Sequence, residues 1–457
     1  MTERLIVVSN RIPTEEAPSG GLVVALHEAL SETGGLWIGS HPDTVEVASD
    51  NLVELPGNGY GKRAFRLTED ERRTYYLGYA NSVLWPLCHR RSDLIDFERS
   101  FAEGYLAVNR RVARAVANLA GPDDLIWIHD YHFLPLAAML RGLGVSARVG
   151  LFLHIPFPVL ADLDALPERD DFPAWIAAFD VVGLQTEADV ARCMELYRAE
   201  PGGAPLPGDR IRYGHREARV RAIPIGIDTE AFVRAAEVGG GEYLVNLGRR
   251  EDLIIGVDRL DYSKGLPNRF RAFGQFLDSQ QKGDRRASLL QIAPPSRGDV
   301  AAYQDLRDEL ECLSGSINGR HAEPDWTPIR YIRRGLPRDQ LAVLYRVARV
   351  GLVTPLADGM NLVAKEYVAA QDPEDPGVLV LSRMAGAAEE LTEALLVNPY
   401  DIEEMALAID AALAMPRAER QRRHRDLMAV LRRNDVAHWR RRCLAELGRV
   451  ERPMPVT

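Results

Sequence analysis

Two stretches of this chain carry residue types that could act on a phosphate-linked sugar. The first, Gly256-Val-Asp-Arg259-Leu-Asp-Tyr-Ser-Lys264-Gly265, brings two cations to the loop after an apolar run, Asp252-Leu-Ile-Ile-Gly-Val257. Loops at the carboxyl ends of parallel strands are where open α/β sheets bind ligands. The second, Asp358-Gly359-Met360-Asn361-Leu362-Val363-Ala364-Lys365-Glu366, turns at an acid and a glycine and then reads as a helix. Its first backbone N–H groups would lie at a helix N-terminus, a ready anion site. Cations, a helix N-terminus and acid and amide side chains together describe a site for a diphosphate joined to a sugar. Lysine usage points the same way. Of 56 Lys and Arg residues only four are lysines, and Lys264 and Lys365 both fall in these stretches. Lys is a compact point charge and Arg a planar fork, so a chain that otherwise uses Arg keeps Lys where the smaller cation is needed.

Other residues could complete such a site. Asn10-Arg11 follows the apolar run Leu5-Ile-Val-Val8, and Gly20-Gly21 can open a helix while letting backbone amides approach a phosphate. Trp127-Ile-His129-Asp130-Tyr-His132 ends another apolar run. Its two histidines have no third ligand nearby, so metal binding is not the reading; Asp130 is read as an acceptor for sugar hydroxyls. His154, stopped by Pro156 and Pro158, is placed as a donor to a hydroxyl or carbonyl. Asp162-Leu-Asp164 has the form of a metal-binding carboxylate pair but opens a helical stretch, where acids favour a helix N-terminus. Tyr75, Tyr76 and Trp85 could stack on a pyranose ring or fill a core. Arg297, after the run Ser288–Ala293, suits a second phosphate.

The elements that must position these residues alternate. Short apolar runs (Arg4–Val8, Leu125–Ile128, Val149–Leu153, Val181–Leu184) are separated by helical patterns, and Thr186 with Asp189 reads as a helix start. Pro201–Gly208 reads as a loop, and Val220–Asp228 as a strand leaving the first half. A second series follows: Leu253–Val257, Ser288–Ala293, Ile329–Ile332, Val350–Thr354, Val378–Leu381 and Leu395–Val397, with a helical tail over Ile402–Val450. Strands alternating with helices indicate βαβ units and parallel sheets. The fold class is therefore α/β, two Rossmann-like domains facing a cleft. The expected division is an acceptor-binding domain at 1–225, a nucleotide-sugar-binding domain at 226–435, and a helical tail at 436–457 packing back toward the first. A net charge of −10 argues against nucleic acid or an anionic membrane as partner. Four scattered cysteines exclude a cysteine-based zinc site and suit a reducing cytoplasm. No run approaches a membrane span, and the N-terminus lacks signal architecture.

These strings, with Val-Val-Ser-Asn-Arg11, Asn-Ser-Val-Leu-Trp85-Pro and Leu-His154-Ile-Pro-Phe-Pro, run in one order from about Arg4 to His438. Together they resemble the α,α-trehalose-6-phosphate synthases, retaining glycosyltransferases of GT-B architecture (glycosyltransferase family 20). The resemblance implies glucosyl transfer from a nucleotide-glucose, UDP-glucose foremost, to glucose-6-phosphate. It places Arg11, Tyr76, Trp85, Asp130 and Arg297 at the acceptor, with Arg11 and Arg297 on its phosphate. It places Gly20, Gly21, Arg259, Lys264 and Leu362–Glu366 at the donor, with Glu366 on the ribose and Asp358 and His154 on the transferred glucose. The catalytic group is then Asp130, His154, Arg259, Lys264 and Asp358, with no cofactor and no metal. The chain departs from the pattern at Ser40-His41 and at Leu336, where relatives often carry aromatics; Leu336 leaves the base open among UDP, GDP and ADP. A dimer or tetramer is an admissible assembly. The alternatives are a sister transferase using another phosphorylated acceptor such as glycerol-3-phosphate, a catalytically silent sugar-phosphate sensor, and a nucleotide-sugar epimerase. Arg259, Lys264, Asp358 and Glu366 argue against the sensor, and Arg11 with Arg297 against the epimerase.

Overall fold

The computed structural model describes residues 4–13, 21–57, 59–238, 251–280, 286–296 and 301–449. The chain divides into two compact units, one of Met1–Pro224 with Trp439–Thr457, the other of Ile225–His438.

The first unit is built on ten strands: β1 (Leu5–Arg11), β2 (Leu36–Ser40), β3 (Val53–Leu55), β4 (Gly61–Phe65), β5 (Leu125–His129), β6 (Arg148–Phe152), β7 (Val181–Leu184), β8 (Gly203–Leu206), β9 (Arg210–Tyr213) and β10 (Arg216–Ala222). Their order is β3-β4-β2-β1-β5-β6-β7-β10-β9-β8. Pairing from β4 through β10 is parallel, and only the edges β3 and β9-β8 run antiparallel. The central strands are apolar almost throughout because helices cover both faces of such a sheet; Ile6, Val7, Val8, Ile126 and Ile128 have no exposed surface. The segment read as a loop over Pro201–Gly208 contains β8. Pro205 is tolerated there because β8 is an edge strand, where a missing N–H leaves no ladder bond unmade.

Successive connections in this unit run one way from β1 to β2 and the other way to β5. The strand order reverses between β1 and β5, and the crevice at the carboxyl ends of those two strands is the expected ligand position. β1 carries an irregularity there: Val8 pairs with Ile38, but Arg11 pairs with Ser40, so one extra residue bulges before Arg11. Bulges re-aim side chains beside sites.

The second unit has six parallel strands: β11 (Asp252–Val257), β12 (Ala287–Ile292), β13 (Ile329–Ile332), β14 (Val350–Val353), β15 (Val378–Ser382) and β16 (Leu395–Val397), ordered β13-β12-β11-β14-β15-β16. Its reversal lies between β11 and β14. The tail forms three helices, Ile402–Ala414, Arg417–Arg433 and Val436–Gly448. The last belongs mostly to the first unit, where Trp439 is fully buried against Trp127 and Phe152 and Arg440 bonds Glu32 at 2.6 Å.

Candidate active site

At the reversal point of the second unit, the loop after β11 forms a short 3-10 turn, Tyr262–Lys264, capped by Asp261, whose side chain accepts from Ser263 N at 2.9 Å. Gly265 then takes φ +66° and starts the helix Leu266–Ser279. A side chain there would be strained and its Cβ would run into the Thr354 carbonyl, so only glycine lets this turn lie against the end of β14. The turn delivers Lys264. Its Nζ donates to Asp358 Oδ2 at 2.6 Å, and Asn361 Nδ2 donates to the same oxygen at 3.0 Å. Asn361 sits at φ +78°, and its Oδ1 caps the helix Leu362–Ala370 by accepting from Ala364 N at 3.2 Å. Lysine, carboxylate, amide and helix N-terminus therefore form one connected group. Behind it, Arg269 and Asp258 make a fully buried 2.6 Å ion pair that locks the ends of β11 and β12 through Gln291. Arg259 is exposed on the same loop.

The run Leu362–Glu366 divides by depth. Gly359, Met360 and Ala364 are buried, while Leu362, Val363 and Glu366 are half-buried. Lys365 is fully buried, its ammonium committed to Glu390 at 2.5 Å and to the Ile225 carbonyl at 2.8 Å. Burial pushes its pKa down and Glu390 opposes the shift. Its side chain is a structural tie, so any donor contact at this position comes from backbone. Burial raises the Glu366 carboxyl to about 7, with Arg338 and a 3.5 Å bond from the Tyr345 hydroxyl pulling the other way. Leu336 is half-buried before the helix Arg338–Val347.

At the reversal point of the first unit, Asp130 follows β5 with φ +71° and ψ 174°, a region that almost only glycine occupies. Its Oδ1 accepts from His154 N at 3.2 Å, tying the ends of β5 and β6 together. His129 and His154 stack, with His129 Nδ1 and His154 Nε2 3.1 Å apart. Burial pushes His154 down to about 3 and His129 well below its usual value, so both rings are neutral at pH 7. A neutral imidazole offers one donor and one acceptor rather than a charge.

Arg11 reaches outward and donates to the Tyr76 hydroxyl at 3.1 Å. Tyr76 lies on a π-helix, Arg72–Leu84, whose wide turn is stabilised by Asn81 and Ser82 side chains bonding the carbonyls of Tyr76 and Leu77 five residues back. A capping box fixes the helical turn Glu69–Glu71 that leads into it: Thr68 Oγ1 accepts from Glu71 N, and the Glu71 carboxylate accepts from Thr68 N. Arg11 and Tyr76 line a cavity of about 350 Å³, whose remaining polar wall is Asn10, Ser40, His41, Thr44 and Arg72, with Ile12, Pro42 and Leu67 as the apolar part. Trp85 and Asp130 lie outside that lining. Trp85 is buried, stacked on His89 at 4.1 Å, and Tyr75 is buried with its hydroxyl on Asn10. The sequence reading missed Arg72; its only signal was a position four residues before Tyr76. Gly20 and Arg297 lie outside the described residues, and Gly21 is the first residue of the helix Gly21–Thr33. Asp162 and Asp164 sit on a 3-10 turn, Leu160–Ala165, where Asp164 faces Arg169 at 3.5 Å.

Comparison with known proteins agrees along the full length. The family model for glycosyltransferase family 20 matches residues 3–449. A trehalose-6-phosphate synthase of Sodalis glossinidius is 44% identical over 452 residues, covering 98% of this chain and 96% of that protein. The structure of a UDP-forming α,α-trehalose-phosphate synthase from Burkholderia xenovorans in complex with glucose-6-phosphate matches with a TM-score of 0.92 at 46% identity, over 97% of this chain and 100% of the other. An Escherichia coli structure described as bound with UDP-2-fluoro glucose matches with a TM-score of 0.95 at 42% identity, over 99% and 100%. With its two Rossmann-like units and strand-end sites, the chain belongs to glycosyltransferase family 20.

Proposed function

We propose that this chain is a UDP-forming trehalose-6-phosphate synthase, moving glucose from UDP-glucose to glucose-6-phosphate with retention at the anomeric carbon. The observation that carries this reading is the full-length family match combined with a cationic group at each of two strand-order reversals. Relatives described with glucose-6-phosphate and with a UDP-glucose analogue support the choice of substrates.

In the second unit, Lys264 and Arg259 stabilise the diphosphate as negative charge develops on it, the kind of preorganised contact that lowers a barrier most. Asp358 holds Lys264 in place and accepts from hydroxyls of the transferred glucose; Glu366 holds the ribose. The N-terminus of the helix Leu362–Ala370 faces the diphosphate, with Leu336 beside the base; the family resemblance adds Gly20 and Gly21 as donor contacts. In the first unit, Arg11 and Tyr76 hold the acceptor phosphate; the family resemblance gives Arg297, outside the described residues, the same role. Asp130 and Trp85 position the acceptor sugar, and His154 donates to the glucose being moved. A retaining transfer of this type needs no carboxylate nucleophile: the acceptor hydroxyl gives its proton to the leaving phosphate oxygen as the new C–O bond forms on the face from which UDP departs. Asp130 and Asp358 then act by holding the reactants in register. Transfer proceeds without a divalent metal, since the cations and the helix N-terminus neutralise the leaving group. The four cysteines are free thiols, which suits a cytoplasmic enzyme.

The test is UDP release from UDP-glucose with and without glucose-6-phosphate, with the product's linkage read by NMR. Release that depends on glucose-6-phosphate and yields only the α,α-1,1 product is expected, with or without EDTA. Release that ignores the acceptor, or a requirement for magnesium, would overturn the reading.

A further inference from the structure

The cavity of the first unit has a feature that the assigned roles do not use. Among the described residues its wall carries two guanidiniums, Arg11 and Arg72, an imidazole and several hydroxyls, and no carboxylate. Arg72 is the first residue of the π-helix and Tyr76 the fifth, which brings both side chains to the cavity. Arg72 donates through Nε to Glu69 Oε2 at 3.1 Å, and Glu69 is itself anchored by the Thr44 hydroxyl at 2.7 Å. That leaves the two terminal amino groups of Arg72 with no hydrogen bond among the described residues. Arg11 likewise spends one amino group on the Tyr76 hydroxyl. Two guanidiniums with donors to spare, each steadied by one neighbour, match the oxygens of a tetrahedral dianion. Arg forks bind such groups bidentately, and charge-assisted bonds of this kind are about twice as strong as neutral ones.

We propose that Arg72 is a specificity-determining residue of the acceptor site: it binds the phosphomonoester of the acceptor together with Arg11 and selects phosphorylated sugar over free sugar. This rests on the reading of the cavity as the acceptor site. The Ser40 side chain on the same wall is small and takes up little of the cavity. Arg73 supplies an internal contrast. It is next in sequence with the same charge, but it bonds Asp70 at 2.9 Å and does not line the cavity.

Steady-state kinetics on the full chain separate the outcomes, with glucose-6-phosphate varied at saturating UDP-glucose. Arg72→Gln should raise the acceptor KM roughly tenfold or more, the loss expected for a charged hydrogen bond, with kcat held within about twofold. The inhibition constant of inorganic phosphate against the acceptor should rise in parallel, and Arg72→Lys should recover part of the loss. Arg73→Gln, which removes the same charge from the surface, should change the KM by less than about twofold. An unchanged KM in Arg72→Gln beside a raised KM in Arg11→Ala would overturn the role of Arg72 and leave the site standing. Equal effects from Arg72→Gln and Arg73→Gln would also overturn it, by making the effect one of net charge. If neither Arg11→Ala nor Arg72→Gln moved the acceptor KM, the assignment of the cavity itself would fail.

Discussion

The two reversal points hold their cations in opposite electrostatic settings. In the second unit the cation is already paired: Lys264 is held by Asp358, and Asn361 holds the same oxygen. In the first unit the guanidinium of Arg11 is held by a neutral hydroxyl and faces a cavity with no carboxylate among the described residues, while His129 and His154 at the strand ends are neutral. The proposed function accounts for the difference. A group that stabilises charge developing during reaction gains from being fixed beforehand, because no reorganisation is left for the reaction step. A group that binds a ligand already charged gains from keeping its donors available. On the proposed function, Lys264 acts on rate and Arg11 on affinity.

The largest expected effect tests the first half of that contrast. Lys264→Ala should lower kcat by about a hundred- to a thousandfold, the usual loss of ~3 kcal/mol for a preorganised donor, with the acceptor KM little changed. Near-normal turnover would remove Lys264 from the leaving-group role. Arg11→Ala should do the reverse. The acceptor KM should rise about tenfold or more with kcat retained, in line with a lost charged hydrogen bond, and a fall in kcat alone would break the comparison.

A smaller effect concerns Glu366, raised to about 7 by burial. A carboxylate accepts from ribose hydroxyls better than its protonated form does, so UDP affinity should rise as pH goes from 6 to 8, by at most about tenfold per unit. Isothermal titration at several pH values reads this step, and Glu366→Gln should abolish it. A separate effect falls on stability. Between the unperturbed histidine value near 6.5 and about 3, the unfolded chain binds a proton that the folded His154 refuses. Stability should therefore fall as pH drops through this window, by up to ~1.4 kcal/mol per unit for each such ring. Urea unfolding of His154→Asn should show a shallower slope between pH 6 and 4, and an unchanged slope would show that this ring takes its proton normally.

Where local chemistry decides structure, the sequence was readable. Val181–Leu184 and Ile329–Ile332 are strands as the apolar runs suggest, and Thr186 caps its helix by accepting from Asp189 N. Other features depend on partners distant in sequence. Nothing in Pro201–Gly208 announces β8, because an edge strand is made by its neighbour β9 rather than by its own composition. The apolar pattern of Arg72–Leu84 does not announce a π-helix; what supports its wide turn is Asn81 and Ser82 bonding carbonyls five residues back. Lys264 and Lys365 look alike in sequence, yet one ends at the strand-end group and the other in the interior on Glu390. Arg72 was hidden by abundance, one arginine among many, and only the cavity singles it out.

The division of labour between the two sites is tested most directly by crossed calorimetry. UDP and glucose-6-phosphate are each titrated into the unmodified chain, Lys264→Ala and Arg11→Ala. The account predicts that Lys264→Ala weakens UDP binding and leaves glucose-6-phosphate binding intact, while Arg11→Ala weakens glucose-6-phosphate and leaves UDP intact. A loss of UDP affinity in Arg11→Ala, with glucose-6-phosphate unaffected, would contradict it.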